Sequence, residues 1–324
     1  MKSTTLAKEI LNLLLPHRRL LPSDEMSPTD SCSPWLINHI QKTMFFIEQE
    51  KPIHFVLPAF PAKSPNPEKV LGFLPDMGEK ISLKFLQSLC EQIREIYAPG
   101  VQITICSDGR VFSDLVCVED ENVTAYGREI QEIIHEIGAD SIDIFNLEDV
   151  FRNMNFDQMR QEAIQRYGES LESLRSNVKN DHIARQLFNG IHRFLVEDYL
   201  VLYPSKSRNK VKNECKDLAY QVIQRSNAWG NLVAEQFPYA LRFSIHPQPY
   251  HSEKIGIHMI KTSDQWGTPW HNATVFDGKE YRLMKRSQIE SMGALLVYEK
   301  GRPSHYVLSR PLQVSDIYSL QEAA

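Results

Sequence analysis

The chain is predicted to be an α/β protein: a Rossmann-like parallel sheet unit, followed by a helical segment and a strand-rich C-terminal part. Three observations carry the prediction. Between residues 50 and 150, short apolar runs alternate with stretches whose apolar residues recur every three or four positions, the pattern of parallel strands joined by right-handed helical crossovers. Residues 156–236 keep only the helical period. Beyond residue 237 the period falls to two, as in strands.

Each element has its own signal. An N-terminal helix ends at a Pro/Ser/Asp-rich loop, 22–34 (PSDEMSPTDSCSP), a composition that favours turns. Residues 53–57, stopped by Pro58, read as a short buried strand. Ser82 is placed as the N-cap of the next helix. Its stripe is Leu83, Leu86, Cys90, Ile93 and Tyr97, and Pro99-Gly100 stop it. Residues 101–106 form the second strand. Tyr126, Ile130, Ile133 and Ile137 mark a helix closed by Gly138, and 141–145 the third strand. Helices are expected over 156–176, 181–202 and 216–236, with the basic connector 203–213 as a surface loop. Near the end, Leu241, Phe243 and Ile245 alternate with Arg242, Ser244 and His246. Ile255, Ile257 and Met259 alternate with Lys254, Gly256 and His258. If these strands pair, the polar set shares one face. That face meets either solvent, as in many antiparallel sheets, or an anionic ligand. The expected organisation is an N-terminal helical extension (1–39) and a single catalytic domain (40–324), Rossmann-like over 50–150, helical over 151–236 and strand-rich over 237–324.

Composition narrows the function. Charged residues are 24% and hydrophobic residues 42% of 324, enough to bury a substantial core. With 36 Lys and Arg against 41 Asp and Glu, the net charge is −5, which gives no electrostatic reason to expect nucleic acid. No apolar run reaches membrane-spanning length, so no membrane partner is expected. Residues 11–16 are too short for a signal h-region, and Arg18-Arg19 follow that stretch instead of preceding it. The five cysteines (Cys32, Cys90, Cys106, Cys117 and Cys215) contain no CxxC, against a disulfide framework or zinc ribbon. A cytoplasmic protein is the expectation.

Three apolar runs end in polar loops: FVLPAFPAKSPN (55–66), ICSDGRVFSDL (105–115) and LRFSIHPQ (241–248). Open α/β sheets bind ligands beyond the carboxyl ends of their strands, so a small, anionic, polyfunctional substrate is expected there. The first loop lacks both GxGxxG and GxxxxGK[ST], which argues against a dinucleotide fingerprint or a P-loop. It offers Lys63 and Ser64 to a phosphate; the plainer reading makes Lys63 a surface residue. In the second, Ser107-Asp108-Gly109 is a turn signature, so Asp108 is a turn cap or a substrate carboxylate. Arg110, Ser113 and Asp114 crowd the same loop. Arg225 and Trp229 share a helix face, so the Trp walls a pocket that the Arg enters or packs beneath it on the surface. His246, His251, His258 and His271 show no HxH or HExxH spacing, which favours acid–base roles over a metal site. Trp270-His271 suits a substrate contact or a packed loop anchor.

Taken in order, FVLPAFPAKSPNPEKVLGFLPDMGE (55–79), IYAPG (96–100), ICSDGRVFSDLV (105–116), AYQVIQRSNAWGNL (219–232), LRFSIHPQ (241–248), KIGIHM (254–259), WGTPWHNA (266–273) and GRPSHY (301–306) resemble the isocyanide (isonitrile) synthases of the pyoverdine/dityrosine biosynthesis protein family. The resemblance runs from about residue 40 to 310 and leaves out the N-terminal 39 residues and the connector 203–213. It implies conversion of the α-amino group of L-tyrosine or L-tryptophan to an isonitrile in secondary metabolism. Ribulose 5-phosphate would be the one-carbon donor, with no metal or organic cofactor. The amine condenses with the C2 ketone, phosphate is eliminated, and carbon–carbon bonds break to leave C2 as the isonitrile carbon. An Fe(II)/2-oxoglutarate-dependent oxygenase is implied as functional partner.

On that chemistry, Lys63, Ser64, Arg110, Arg225, Arg242 and Lys254 are available to a phosphate dianion. His246 and His271 are available for proton transfer near neutral pH, and Asp108, Asp114 or Glu79 for gripping the amine or acting as base. The expected catalytic set is His246, His271, Asp108 and Lys63; Ser113, Trp229, Gln248 and Trp270 complete the substrate-binding set. The alternatives are an N-formyl-tyrosine-forming relative and a non-catalytic sugar-phosphate or amino-acid binding protein. The density of polar loop residues argues against the second. Tyrosine and tryptophan both stay open as acceptor.

Overall fold

Strands β1 (Ile53–Pro58), β2 (Val101–Cys106), β3 (Ile142–Phe145), β4 (Leu241–Ser244) and β5 (Lys254–Gly256) form one all-parallel sheet in the order β3-β2-β1-β4-β5. The computed structural model describes residues 2–21, 34–262 and 266–309, so nearly all of the expected loop 22–34 lies outside the described residues. The chain moves outward from β1 through β2 and β3, then returns to the other side of β1 for β4 and β5. Strand order reverses between β1 and β4. At such a switch point the departing loops diverge and open a crevice.

The pairing of the two late strands corrects one expectation. β4 and β5 are parallel, with Arg242 opposite Lys254, and they complete the main sheet. Ser244 ends β4 and Gly256 ends β5, so His246 and His258 lie beyond the strands that were to present them.

Helices α1 (Lys2–Leu14), α2 (Pro34–Ile47) and α3 (Met77–Ile96) flank β1 in sequence. α4 (Gly109–Phe112) and α5 (Asp120–Glu136) join β2 to β3. α6 (Leu147–Val150), α7 (Phe156–Tyr167), α8 (Leu171–Asn180), α9 (His182–Leu202) and α10 (Arg208–Gln236) fill the path to β4. One sheet face buries Phe55, Leu57, Phe243 and Ile255 against α1, α2, α3 and α5. Ile10, Leu11 and Leu14 are fully buried there, so the N-terminal helix walls the main core. The other face packs Val56 and Cys106 against Leu147, Met159, Trp229 and Leu232.

Local chemistry moves several boundaries. Asp76, not Ser82, caps α3: its side chain accepts from Gly78 N, and Glu79 returns a bond to Asp76 N. An Asp-x-x-Glu box satisfies two orphan donors at once, and Ser82 is buried inside the helix. The helix expected over 156–176 stops at Gly168 and restarts behind Ser170, whose hydroxyl caps Ser173 N. Ser207 caps α10, which shrinks the basic connector to 203–207.

A second, mixed sheet has the order β6-β8-β7-β10-β9. It consists of β6 (Lys261–Thr262), β7 (Ala273–Phe276), β8 (Tyr281–Met284), β9 (Leu295–Glu299) and β10 (Arg302–Val307), with α11 (Arg286–Ser291) against its core of Val275, Met284, Ile289 and Tyr306. Among the described residues no helix is long and apolar enough to cross a membrane.

The loops at the switch point fit backbone to backbone. A Cβ on Gly109 would stand 1.8 Å from Pro61 O, so only glycine lets the second loop rest on the first. Ser107 Oγ adds a bond to Phe60 O at 3.0 Å. Phe60 has φ 55°, a left-handed backbone that non-glycine residues hold mainly where surrounding packing enforces it.

Candidate active site

Five of the expected site residues converge around the switch point: Asp108 after β2, Arg242 on β4, His246 after β4, Lys254 on β5 and His271 in the 3-10 turn Pro269–His271. Each feels the charge of the next. Asp108 couples to Arg242, Arg242 to Lys254, Lys254 to His246, and His246 to His271. His246 and Lys254 keep large accessible surfaces, yet burial by protein is the dominant influence on both. Both statements hold for side chains that reach solvent from a recess between crowded strand ends.

The polar valences of this recess are open. Asp108 Oδ1 and Arg242 Nε are buried without a hydrogen-bond partner among the described residues, an uncommon state for buried polar atoms that calls for a ligand, water or function. Asp108 stands at the N-cap position of α4 and makes no side-chain cap bond to that helix, although its carboxylate meets its own backbone, as in a turn. Arg242 and Lys254 form no ion pair among the described residues. α10 makes room for the guanidinium: a Cβ on Gly230 would come within 3.2 Å of Arg242 Nη2.

Protonation follows from the surroundings. Burial pushes the Asp108 carboxyl up to about 7, with Arg242 pulling the other way. Burial lowers Arg242, and it lowers Lys254 with help from the Arg242 charge. His246 is lowered to about 4 by burial and then by Arg19 and Lys254. His271 is lowered to about 3 by burial and then by Lys69. Both histidines expected to transfer protons near neutrality are thus held low, first by burial and then by neighbouring cations. Within this group Asp108 is the residue pushed toward pH 7, and in the frame around it Glu79 is pushed to about 7 as well. Thr268 Oγ1 lies 3.2 Å from His271 Nδ1, and Phe194 packs 4.8 Å from the ring. Trp266 stands 5.9 Å from the His246 ring.

The remaining candidates build the frame. Lys63 is buried, and its ammonium meets Asp76 Oδ2 at 2.8 Å, Glu79 Oε2 at 2.9 Å and Pro269 O at 2.9 Å. Three donors have three acceptors, so none is left for a phosphate. Burial alone would lower Lys63, but the two carboxylates more than reverse that. Glu79 is pushed upward, first by burial, and also accepts from Tyr126 OH at 3.1 Å. Ser64 Oγ turns to Asp198 Oδ2 at 3.4 Å, and Asn66 and Lys69 hold the same carboxylate at 2.8 and 2.6 Å. Arg110 lies over Phe156 at 3.6 Å and binds Asp120 and Glu148. Ser113 joins Asp120 and Arg160. Arg225 is tied to Asp114 and to Val111 O, so it does not share a pocket with Trp229. Trp229 is buried, with Nε1 3.4 Å from Cys106 O. Gln248 spends its amide on Ser244, His246 O, Pro247 O and Ser252. Trp270 is a core anchor against Phe60.

Sequence reading passed over Asp76, Asp198, Asp120, Arg160 and Arg19. The Asp76-x-x-Glu79 box and a carboxylate inside the apolar stretch FLVEDYLVL were visible signals. Arg160 and Asp120 had none, because their partners come from distant elements. Among the described residues no group of three or more His, Cys, Asp or Glu is arranged to hold a metal ion.

Comparison with known proteins agrees with this architecture. A family described as "Pyoverdine/dityrosine biosynthesis protein" matches residues 43–297. The chain is 60% identical to the L-tryptophan isonitrile synthase AmbI2 of Fischerella ambigua, over 96% of this chain and 95% of that protein. It is 47% identical to an L-tyrosine isonitrile synthase of Pseudomonas aeruginosa, over 94% of each. The crystal structure of PvcA from Pseudomonas aeruginosa superposes with a TM-score of 0.88 at 47% identity, covering 94% of this chain and 99% of that one.

Proposed function

Because the chain belongs to the pyoverdine/dityrosine biosynthesis protein family, we infer that it is an isonitrile synthase acting on an aromatic L-amino acid, with ribulose 5-phosphate as one-carbon donor. The observation that carries the donor is the Arg242–Lys254 pair, two adjacent cations without an ion-pair partner among the described residues. A phosphate dianion satisfies both. Higher identity to the tryptophan enzyme than to the tyrosine enzyme favours L-tryptophan as acceptor. Phe194 and Trp266 offer aromatic faces beside His271 and His246.

In this reading the phosphate also acts on the His246 imidazole. Burial is the larger cause that holds His246 low, and a dianion beside Lys254 offsets the smaller, cationic one, so substrate binding raises it. Asp108 serves as the base for imine formation and for the deprotonations that precede phosphate loss. An Fe(II)/2-oxoglutarate-dependent oxygenase is the class of enzyme proposed to consume the product.

The test is product analysis: purified protein, ribulose 5-phosphate, and L-tryptophan or L-tyrosine, with tetrazine trapping and mass spectrometry. A trapped isonitrile from L-tryptophan supports the reading. Prompt appearance of a formamide alone moves it to the N-formylating alternative, and no turnover with either acceptor opposes it. Arg242→Ala is expected to raise KM for ribulose 5-phosphate about 10- to 100-fold, the worth of one hydrogen bond to a charged group. An unchanged KM would separate Arg242 from the phosphate.

A further inference from the structure

We propose that the segment 18–21, which precedes the matched family region 43–297, is a working part of the active site, and that Arg19 is the positioning residue that sets His246 and Trp266. The proposal rests on the reading of His246 as a proton-transfer group.

Residues 18–21 run along the site loops like an added strand. Arg18 bridges Ile257 and Leu20 bridges Gln248. Arg19 N donates to Gly256 O at 2.8 Å, Gln248 N to Arg19 O at 3.0 Å, Leu21 N to Gln248 O at 3.1 Å, and His258 N to His17 O at 2.8 Å. The fit is tightest at Gly256, where a Cβ would fall 2.3 Å from Arg19 O and 3.0 Å from His246 O. Only glycine allows three segments of the chain to meet there.

The Arg19 side chain then ties two loops together. Nη1 donates to Ile245 O at 2.6 Å and Nη2 to Gly267 O at 3.2 Å. Those carbonyls belong to the neighbours of His246 and Trp266, whose rings stand 5.9 Å apart. A planar guanidinium fixes the spacing of two acceptors in a way that a single ammonium does not. Arg18 secures the far end of the loop through Tyr250 O at 3.0 Å. Arg19 is 4% exposed, as suits a residue acting through its neighbours. The arrangement accounts for an arginine pair that sequence reading registered only as charge behind an apolar stretch.

Arg19→Ala should be assayed alone and combined with His246→Ala in the full chain. The expected result is a kcat loss of about 10- to 100-fold, the scale of a misplaced catalytic group, with KM for ribulose 5-phosphate little changed. Added guanidinium should restore part of the rate. Little further loss is expected when Arg19→Ala is added to His246→Ala, the non-additivity of residues acting as one unit. Full activity of Arg19→Ala, or equal fractional losses in both backgrounds, would overturn the proposal. Near-normal turnover of His246→Ala alone would instead remove the reading of His246, and with it the route through which Arg19 acts. Should Arg19→Ala fail to fold, Arg19→Lys carries the same cycle: it keeps the charge, gives up one carbonyl contact, and should lose kcat without a change in KM.

Discussion

Asp108→Asn is expected to be slower than the natural enzyme by about a hundredfold or more and yet more stable at pH 8. The rate loss is that of removing a group that transfers protons in the transition state. The gain in stability follows from burial. The carboxyl titrates at about 7 in the folded chain against an ordinary value of 3.8, so the native state holds a proton that the unfolded chain releases. Below pH 3.8 both states are protonated and nothing is lost. As pH rises from there to 7 the native state loses stability progressively, and above 7 the loss is complete. Asparagine carries no such penalty, so the variant should gain about 2–4 kcal/mol at pH 8 and less at pH 5. Denaturant unfolding at the two pH values checks the stability. The pH dependence of kcat/KM checks the role: the natural enzyme should gain activity as pH rises through about 7, and the variant should lose that limb. Unaltered turnover would take Asp108 out of the chemistry.

Lys63→Met is expected to destabilise the protein by about 3–5 kcal/mol, the usual result of removing one partner from a buried ion pair. Asp76 and Glu79 are both buried, and without the ammonium their charges have no close compensation. Burial already raises the Glu79 carboxyl, and a carboxyl raised on folding costs stability as pH increases, so the deficit should narrow toward pH 5, where Glu79 takes up a proton. A second effect is expected on rate. Lys63 holds Pro269 O, and Ser64 N holds Trp270 O at 2.8 Å, so consecutive residues of the first loop fix the turn that carries His271. The variant protein that does fold should therefore show reduced kcat. An unchanged unfolding midpoint together with a raised KM for ribulose 5-phosphate would return Lys63 to the phosphate contact the sequence first suggested.

The contrast between Lys63 and Arg242 shows where sequence was legible. Strands β1 to β3, α9 and the C-terminal ends of α3, α5 and α10 stand within a few residues of their expected bounds, because local period and Pro/Gly stops act over short distances. The polar loops at the strand ends were also legible, since an open parallel sheet dictates their place. What each polar side chain meets was not. Lys63 and Arg110 look like phosphate ligands in a linear reading, but carboxylates from α3, α5 and α6 claim them. Arg242 and Lys254 stand side by side because β4 and β5 return to the far side of β1 and pair in parallel, a topological fact with no local signal. The parallel pairing of those strands, and the joining of 18–21 to the site, were hidden for the same reason.

The most direct measurement is a crystal structure with ribulose 5-phosphate bound. The account predicts the phosphate within hydrogen-bond reach of both Arg242 and Lys254, with the C2 carbonyl turned toward Asp108 and His246. A sugar phosphate seated instead against Arg110 and Arg160, or at Lys63 with Asp76 displaced, would contradict it and move the active site to another part of the fold.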